Sequence, residues 1–251
     1  MIKFLKKIGL IIFIVFIWNL AAKKVNPIFV PSPQSVLEDL VLSYKSGMLI
    51  KALKYSFLRI TVATLVSGLI AIPIGLLIYN VRLAKDFLYP IVSALRYIPV
   101  TAFYPLLIMW FGIDEMMKVV FLFIATFVYM MPSTILSLED INPDLIDTGL
   151  TIGMSRLQVI TRIQIPAILP SLMNGFIMMY GIGWTYIAVA ETVNAKFGLG
   201  FTIQQSSSRG RTDMVFMAII VIMIVSVVFD NLAKKLVRLV FRWRYVNDTV
   251  E

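Results

Sequence analysis

The apolar residues of this chain gather into long blocks instead of recurring at amphipathic spacing. Six blocks approach or exceed the ~20 residues that a helix needs to cross a bilayer. They cover roughly residues 4–22, 57–79, 87–111, 116–138, 171–193 and 214–239. The pattern predicts an all-α integral membrane protein with six transmembrane helices in a single domain over residues 1–251. The first block also has the basic start and short apolar run of a secretory signal. Leu20-Ala21-Ala22-Lys23 is a poor cleavage site, so a retained span is expected.

The intervals between blocks carry their own signals. In the polar stretch 23–56, Ser32 can cap a helix with Pro33 in its first turn. Val36, Leu37, Leu40, Val41 and Tyr44 follow at helical spacing, and Gly47 can end the run. This predicts an amphipathic helix on the membrane surface or against neighbouring spans. The third block contains Pro90, Pro99 and Pro105 together with Arg96. Each interior proline removes a backbone hydrogen bond, and the freed carbonyls must then face protein or a wet cavity. A broken, pathway-lining helix is expected there.

Composition fits this picture: 59% of residues are hydrophobic, 15% are charged, and the mean hydropathy is +0.89. A water-soluble chain of this length needs more polar surface. The net charge of +9 comes from Lys and Arg at the ends of apolar blocks, such as Lys3, Lys6, Lys7, Lys234, Lys235 and Arg238. That placement suits lipid headgroups and loops, not nucleic acid. With no Cys and no His, disulfides, thiol chemistry and His-dependent metal or triad chemistry are excluded.

The longest polar loop, residues 139–170, reads as two short helices joined by a sharp bend. Asn142 can cap the first, with Pro143 at its first position and Asp144 and Asp147 near its positive end. Gly153 suits the left-handed residue that closes it. Ser155 with Gln158 three residues on forms a capping box for the second. Pro166 and Pro170 restrict the backbone entering the fifth span. Leu145, Ile146, Leu150, Leu157 and Ile160 on this knuckle need a partner surface.

Here the sequence resembles a known family. Asp147-Thr148-Gly149, three residues, Gly153, nine residues, then Ile163-Gln164-Ile165-Pro166 keeps the spacing of the E-A-A, x3, G, x9, I-x-L-P loop of binding-protein-dependent ABC importer permeases. The triplet itself departs from E-A-A, retaining an acid at its first place. Pro31-Ser32-Pro33, Leu95-Arg96-Tyr97-Ile98-Pro99, Trp110-Phe111-Gly112, Ala190-Glu191-Thr192 and Gly198-Leu199-Gly200 look like the nitrate/sulfonate/taurine branch of that family. The resemblance runs from about Pro31 to Arg244.

The resemblance implies a type I importer permease fold in a bacterial cytoplasmic (inner) membrane, with a cytoplasmic coupling helix. That helix docks on a separate ATPase through Asp147, Thr148, Gly149, Gly153, Ser155, Arg156, Ile163 and Pro166. No phosphate-binding G-x-x-x-x-G-K-[ST] motif occurs in this chain. The chain therefore is not expected to be an enzyme or to carry a cofactor, and ATP and Mg would sit on the partner. Further implied partners are an external binding protein, approaching the loop 196–213, and a second copy of the chain. Cargo in the branch is small and often anionic: sulfonates, taurine or nitrate, or alternatively a small heterocyclic vitamin precursor. A cytoplasmic coupling loop puts both termini inside. Charge counting alone does not set that orientation, because Lys23, Lys24, Lys45, Lys51 and Lys54 then fall outside.

Arg96 lies about 14 Å into its span. An ionisable group at that depth is a candidate pathway residue, offering positive potential to an anion. The other reading bonds Arg96 to carbonyls freed by Pro99. Glu191, near the outer end of the fifth span, is expected to shape an outer gate or a bundle ion pair, separate from Arg96. Asp230 and Lys234 stand four apart on one helix face and should pair. An ion-coupled secondary carrier would need midplane acids, and only Glu191 is close. An intramembrane hydrolase would need a nucleophile–base pair that no span contains.

Overall fold

The computed structural model describes residues 2–244, with side chains from residue 9 onward. Lys3, Lys6 and Lys7 of the basic start therefore lie outside the described side chains. Every regular element among the described residues is helical. The chain divides into two compact units: residues up to Leu58 with Ile187–Val225, and Arg59–Tyr186 with residues from Ser226 on.

The first unit holds α1 (Ile2–Lys24), α2 (Pro33–Lys45), the start of α3 (Met48–Asn80), α10 (Leu199–Ser208) and the start of α11 (Thr212–Val240). The Ser32 hydroxyl accepts from Ser35 N, with Pro33 in the first turn, as the sequence predicts. The buried face of α2 differs from the expected one. Val36, Asp39 and Ser43 point inward, while Leu37, Val41 and Tyr44 are exposed. Arg211 causes this: its guanidinium lies 2.7 Å from Asp39 Oδ1 and 3.2 Å from Asp213 Oδ2, so the polar face is drawn in. Burial, with the Asp213 carboxylate beside it, pushes the Asp39 carboxyl above the ordinary range, against the pull of Arg211. The apolar residues are left exposed. Trp18 fastens α1 by donating to Pro31 O at 2.9 Å and stacking on Phe216. The interval 196–213, expected as a loop, contains α10.

The second unit is built from the rest of α3, α4 (Arg82–Leu95), α5 (Tyr104–Phe111), α6 (Glu115–Glu139), α7 (Pro143–Thr151), α8 (Arg156–Val159), α9 (Ile165–Ala190) up to Tyr186, and the end of α11. Its core joins α3, α4, α6 and α9 through Ala71, Ile78, Val92, Met130, Ile135, Leu138, Ile168 and Leu172. In lipid, apolar contact gains little over acyl chains, so close approach and buried hydroxyls hold helices together. Ser67 Oγ and Thr126 Oγ1 lie 2.6 Å apart between α3 and α6. A Cβ at Gly75 would sit 2.7 Å from Thr134 Cγ2, so only glycine permits that approach.

Four helical stretches are long and apolar enough to span: Met48–Asn80, Glu115–Glu139, Arg156–Ala190 and Thr212–Val240. The second and fifth spans begin well before their expected starts. The expected third span is a pair, Arg82–Leu95 and Val100–Phe111, bent by 91°. Counting it gives up to five among the described residues, against six expected; α1 occupies the expected first. Only one of the three prolines breaks the helix. Pro90 sits inside α4, and Pro105 falls in the first turn of α5, where its missing N–H costs nothing. Pro99 disfavours helix at the residue before it and opens the 3-10 turn Val100–Phe103. Asp230 and Lys234 pair at 2.8 Å, as their spacing predicts.

Candidate functional site

The loop after α6 folds as the two-helix knuckle the sequence describes. Asn142 accepts from Asp144 N at 3.0 Å at the start of α7, and Pro143 holds its first position. Gly153 adopts φ +89°, the left-handed turn that ends α7. Ser155 and Gln158 form a complete capping box on α8: Ser155 N donates to Gln158 Oε1 at 2.8 Å and Gln158 N to Ser155 Oγ at 3.3 Å. Ser155→Ala is expected to lower the chain's stability in detergent by about 1 kcal/mol, read as a modest fall in Tm, whereas Ser155→Asp should hold it.

Within the motif, Gly149 is buried, and a Cβ there would sit 2.5 Å from Ile163 Cδ1. That contact is with the far end of the Ile163 side chain, which can swing aside to admit an alanine. Asp147 and Thr148 are exposed, with the Thr148 hydroxyl donating to Asp144 O. Arg156 and Pro166 are also exposed. Of the apolar residues expected to need a partner, Ile146 packs into the core and Ile160 is half-buried. Leu145, Leu150 and Leu157 are 51%, 46% and 69% exposed, and Ile152 joins them at 70%.

The second short helix does not stop before the fifth span. Residues Ile160–Gln164 form one π turn that runs directly into α9, with Ile165 N donating to Ile160 O. Pro166, in the first turn of α9, cannot donate to a carbonyl behind it, and the wider turn absorbs that loss without a break. The same turn buries Gln164 against Asn80, an amide pair that apolar periodicity did not flag. No local signal in the sequence marks it.

At the α4–α5 break, Arg96 caps α4 and is exposed, as is Pro99. Arg96 Nη2 meets the Tyr97 hydroxyl at 3.3 Å, and the guanidinium carbon lies 5.2 Å from that ring's centroid. Among the described residues it makes no hydrogen bond to the carbonyls around Pro99. Arg96 instead lines a cavity of about 120 Å³ with Tyr89, Ser93 and Pro132.

A second charged cluster lies near the ends of two apolar blocks. Arg59, inside the second block, makes a bidentate pair with Glu115, both contacts at 2.7 Å. Lys118 stands 3.8 Å from the same carboxylate and donates to Ile113 O. Arg59 and Lys118 are 4% and 1% exposed. Its signal in the sequence is the presence of Arg59 and Lys118 within apolar blocks.

Glu191 follows directly on α9 and is fully buried in the first unit. The Ser56 hydroxyl donates to its carboxylate at 2.9 Å, and Gly200 N donates at 2.8 Å from the first turn of α10. Ser56 Oγ in turn accepts from Leu199 N at 2.9 Å. The glycines of Gly198-Leu199-Gly200 are required by this enclosure. A Cβ at Gly198 (φ +146°) would collide with the Glu191 carboxylate, and one at Gly200 would lie 2.7 Å from Ile187 O.

These features match known proteins. The family described as binding-protein-dependent transport system inner membrane component matches residues 68–242. The taurine transport system permease protein TauC of Escherichia coli (strain K12) is 30% identical over 232 residues, covering 90% of this chain and 84% of the relative. The aliphatic sulfonates permease SsuC of the same organism is 29% identical over 92% of this chain and 88% of its own. A chain of the MetNI methionine ABC transporter in an inward-facing conformation superposes with TM-score 0.69 at 20% identity, covering 78% of this chain and 97% of that one. The chain belongs to the inner membrane components of binding-protein-dependent ABC importers: it is a multi-pass permease subunit, and ATP hydrolysis falls to a separate subunit.

Proposed function

We propose that the chain forms, with a second copy, the pathway of an importer for a small organic or inorganic anion of the sulfonate, taurine or nitrate kind. The observation that carries the coupling half is the knuckle, whose Leu145, Leu150, Ile152 and Leu157 stand exposed on a rigidly capped turn. Four outward apolar side chains in a polar loop fit a cleft on a cytoplasmic ATPase. With that loop inside, both termini are cytoplasmic, and the face bearing α10 receives the external binding protein. ATP and Mg belong to the ATPase.

Arg96 and the relatives named for taurine and aliphatic sulfonates support an anionic cargo. A guanidinium beside a proline-opened turn supplies donors and positive potential where the bilayer otherwise excludes anions. Pro99 holds the break that presents it. Glu191, sealed from solvent, acts through the chain segment it ties and not by touching cargo.

The test is uptake of radiolabelled taurine into vesicles containing this chain, its ATPase and its binding protein. Arg96→Ala is expected to cut uptake tenfold or more, about 1.4 kcal/mol of lost interaction. The ATPase should remain bound, and Arg96→Lys should recover part of the flux. Uptake at the parental rate by Arg96→Ala would remove the anion role, and failure of the parent chain to retain any ATPase would remove the coupling role.

A further inference from the structure

The side chains of Asn80 and Gln164 form a reciprocal amide pair. Asn80 Nδ2 donates to Gln164 Oε1 at 2.9 Å, and Gln164 Nε2 donates to Asn80 Oδ1 at 2.9 Å. Asn80 is the last residue of α3, and its amide also reaches Leu76 O at 2.9 Å. Gln164 is 2% exposed and ends the π turn that follows the knuckle. The contact is thus a two-way, geometry-specific tie between a bilayer-crossing helix and the base of the cytoplasmic knuckle.

We infer that this pair is the rigid joint that carries displacement of the knuckle into α3. The inference rests on the coupling role proposed above. Three properties fit the pair for that task. Both amides use a donor and an acceptor on each other, so sliding or rotation of one breaks both bonds at once. Gln164 is buried and Asn80 half-buried, so a broken bond leaves the Gln164 amide without an easy replacement and slack is penalised. The neighbouring contacts are interchangeable: Ile146 and Leu138 meet the core as apolar surfaces that could slip past one another. Two fixed hydrogen bonds cannot slip. Asn80 and Gln164 are accordingly positioning residues, which neither touch cargo nor meet the ATPase.

The experiment uses the assembled importer in proteoliposomes and reads taurine taken up per ATP hydrolysed, together with the amount of ATPase retained. Gln164→Leu is expected to keep the ATPase bound while uptake per ATP falls at least about fivefold. The exchanged pair, Asn80→Gln with Gln164→Asn, keeps the combined length and both bonds and should recover most of that loss. Because Gln164→Leu strips Asn80 Oδ1 of its donor, Asn80→Leu with Gln164→Leu is measured beside it. That double variant buries no orphaned polar group and should fold, yet remain uncoupled. Parental uptake per ATP in the double variant, or an exchanged pair no better than Gln164→Leu, would overturn the joint while leaving the knuckle's role standing. A parent complex that retains no ATPase would instead overturn the reading on which the joint rests.

Discussion

Glu191→Ala is expected to destabilise the detergent-solubilised chain more than any other single substitution considered. The carboxylate accepts from Ser56 and from Gly200 N in a fully buried site, and alanine leaves both donors without that acceptor. Leaving buried donors without an acceptor costs about 1–3 kcal/mol each, a large share of a folding free energy of about 5–15 kcal/mol. The measurement is the melting temperature and the folded yield after size-exclusion chromatography. Glu191→Gln retains an acceptor oxygen but offers an N–H₂ where Ser56 or Gly200 already donates, so it should lie between the two. Gly200→Ala tests the same enclosure from its other wall. Its Cβ would press on Ile187 O, which is backbone and cannot swing away, so a loss of about 1–3 kcal/mol is expected. An alanine variant at 191 melting with the parent would show that the enclosure contributes nothing.

Gly153→Val should have the largest effect on transport. At φ +89° a β-branched residue is strained wherever it points, although nothing lies within 4 Å of its Cβ. The strain is therefore local to the turn and re-aims α8 against α7, which moves Leu157 relative to Leu145 and Leu150. Uptake is expected to fall more than about tenfold with loss of co-purified ATPase, at a local cost of about 1–3 kcal/mol. Gly153→Asn, which visits left-handed conformations more readily, should keep an intermediate level. Full ATPase retention by Gly153→Val would disconnect the turn from docking.

Local chemistry was the most legible part of the chain. The caps at Ser32, Asn142 and Ser155 and the left-handed Gly153 all follow from rules that act over three or four residues, and each stands where those rules put it. Apolar blocks located the crossing helices, but their ends moved wherever a helix ran on through polar residues, as α3 does ahead of residue 57. The three prolines of the third block were equal in sequence. The structure separates them by position, since a proline in a first turn is harmless and only Pro99 stands where the preceding residue must leave the helix. Side chains that meet across long separations were illegible. Asp39 with Arg211 and Asn80 with Gln164 depend on which faces the helices present, and no local pattern encodes that. Arg59 was the exception, visible as a charge in an apolar block and passed over.

The π turn at Ile160–Gln164 adds a constraint on length. It holds one residue more than an α turn needs, and so absorbs about 100° of winding that the extra residue would add to a regular helix between the knuckle and α9. Under the proposed coupling role, substitutions between Gly153 and Ile163 alter the docking surface, whereas an added residue would also turn it about the helix axis. Under that same role, the triplet can be Asp-Thr-Gly provided the nine residues between Gly153 and Ile163 keep their number.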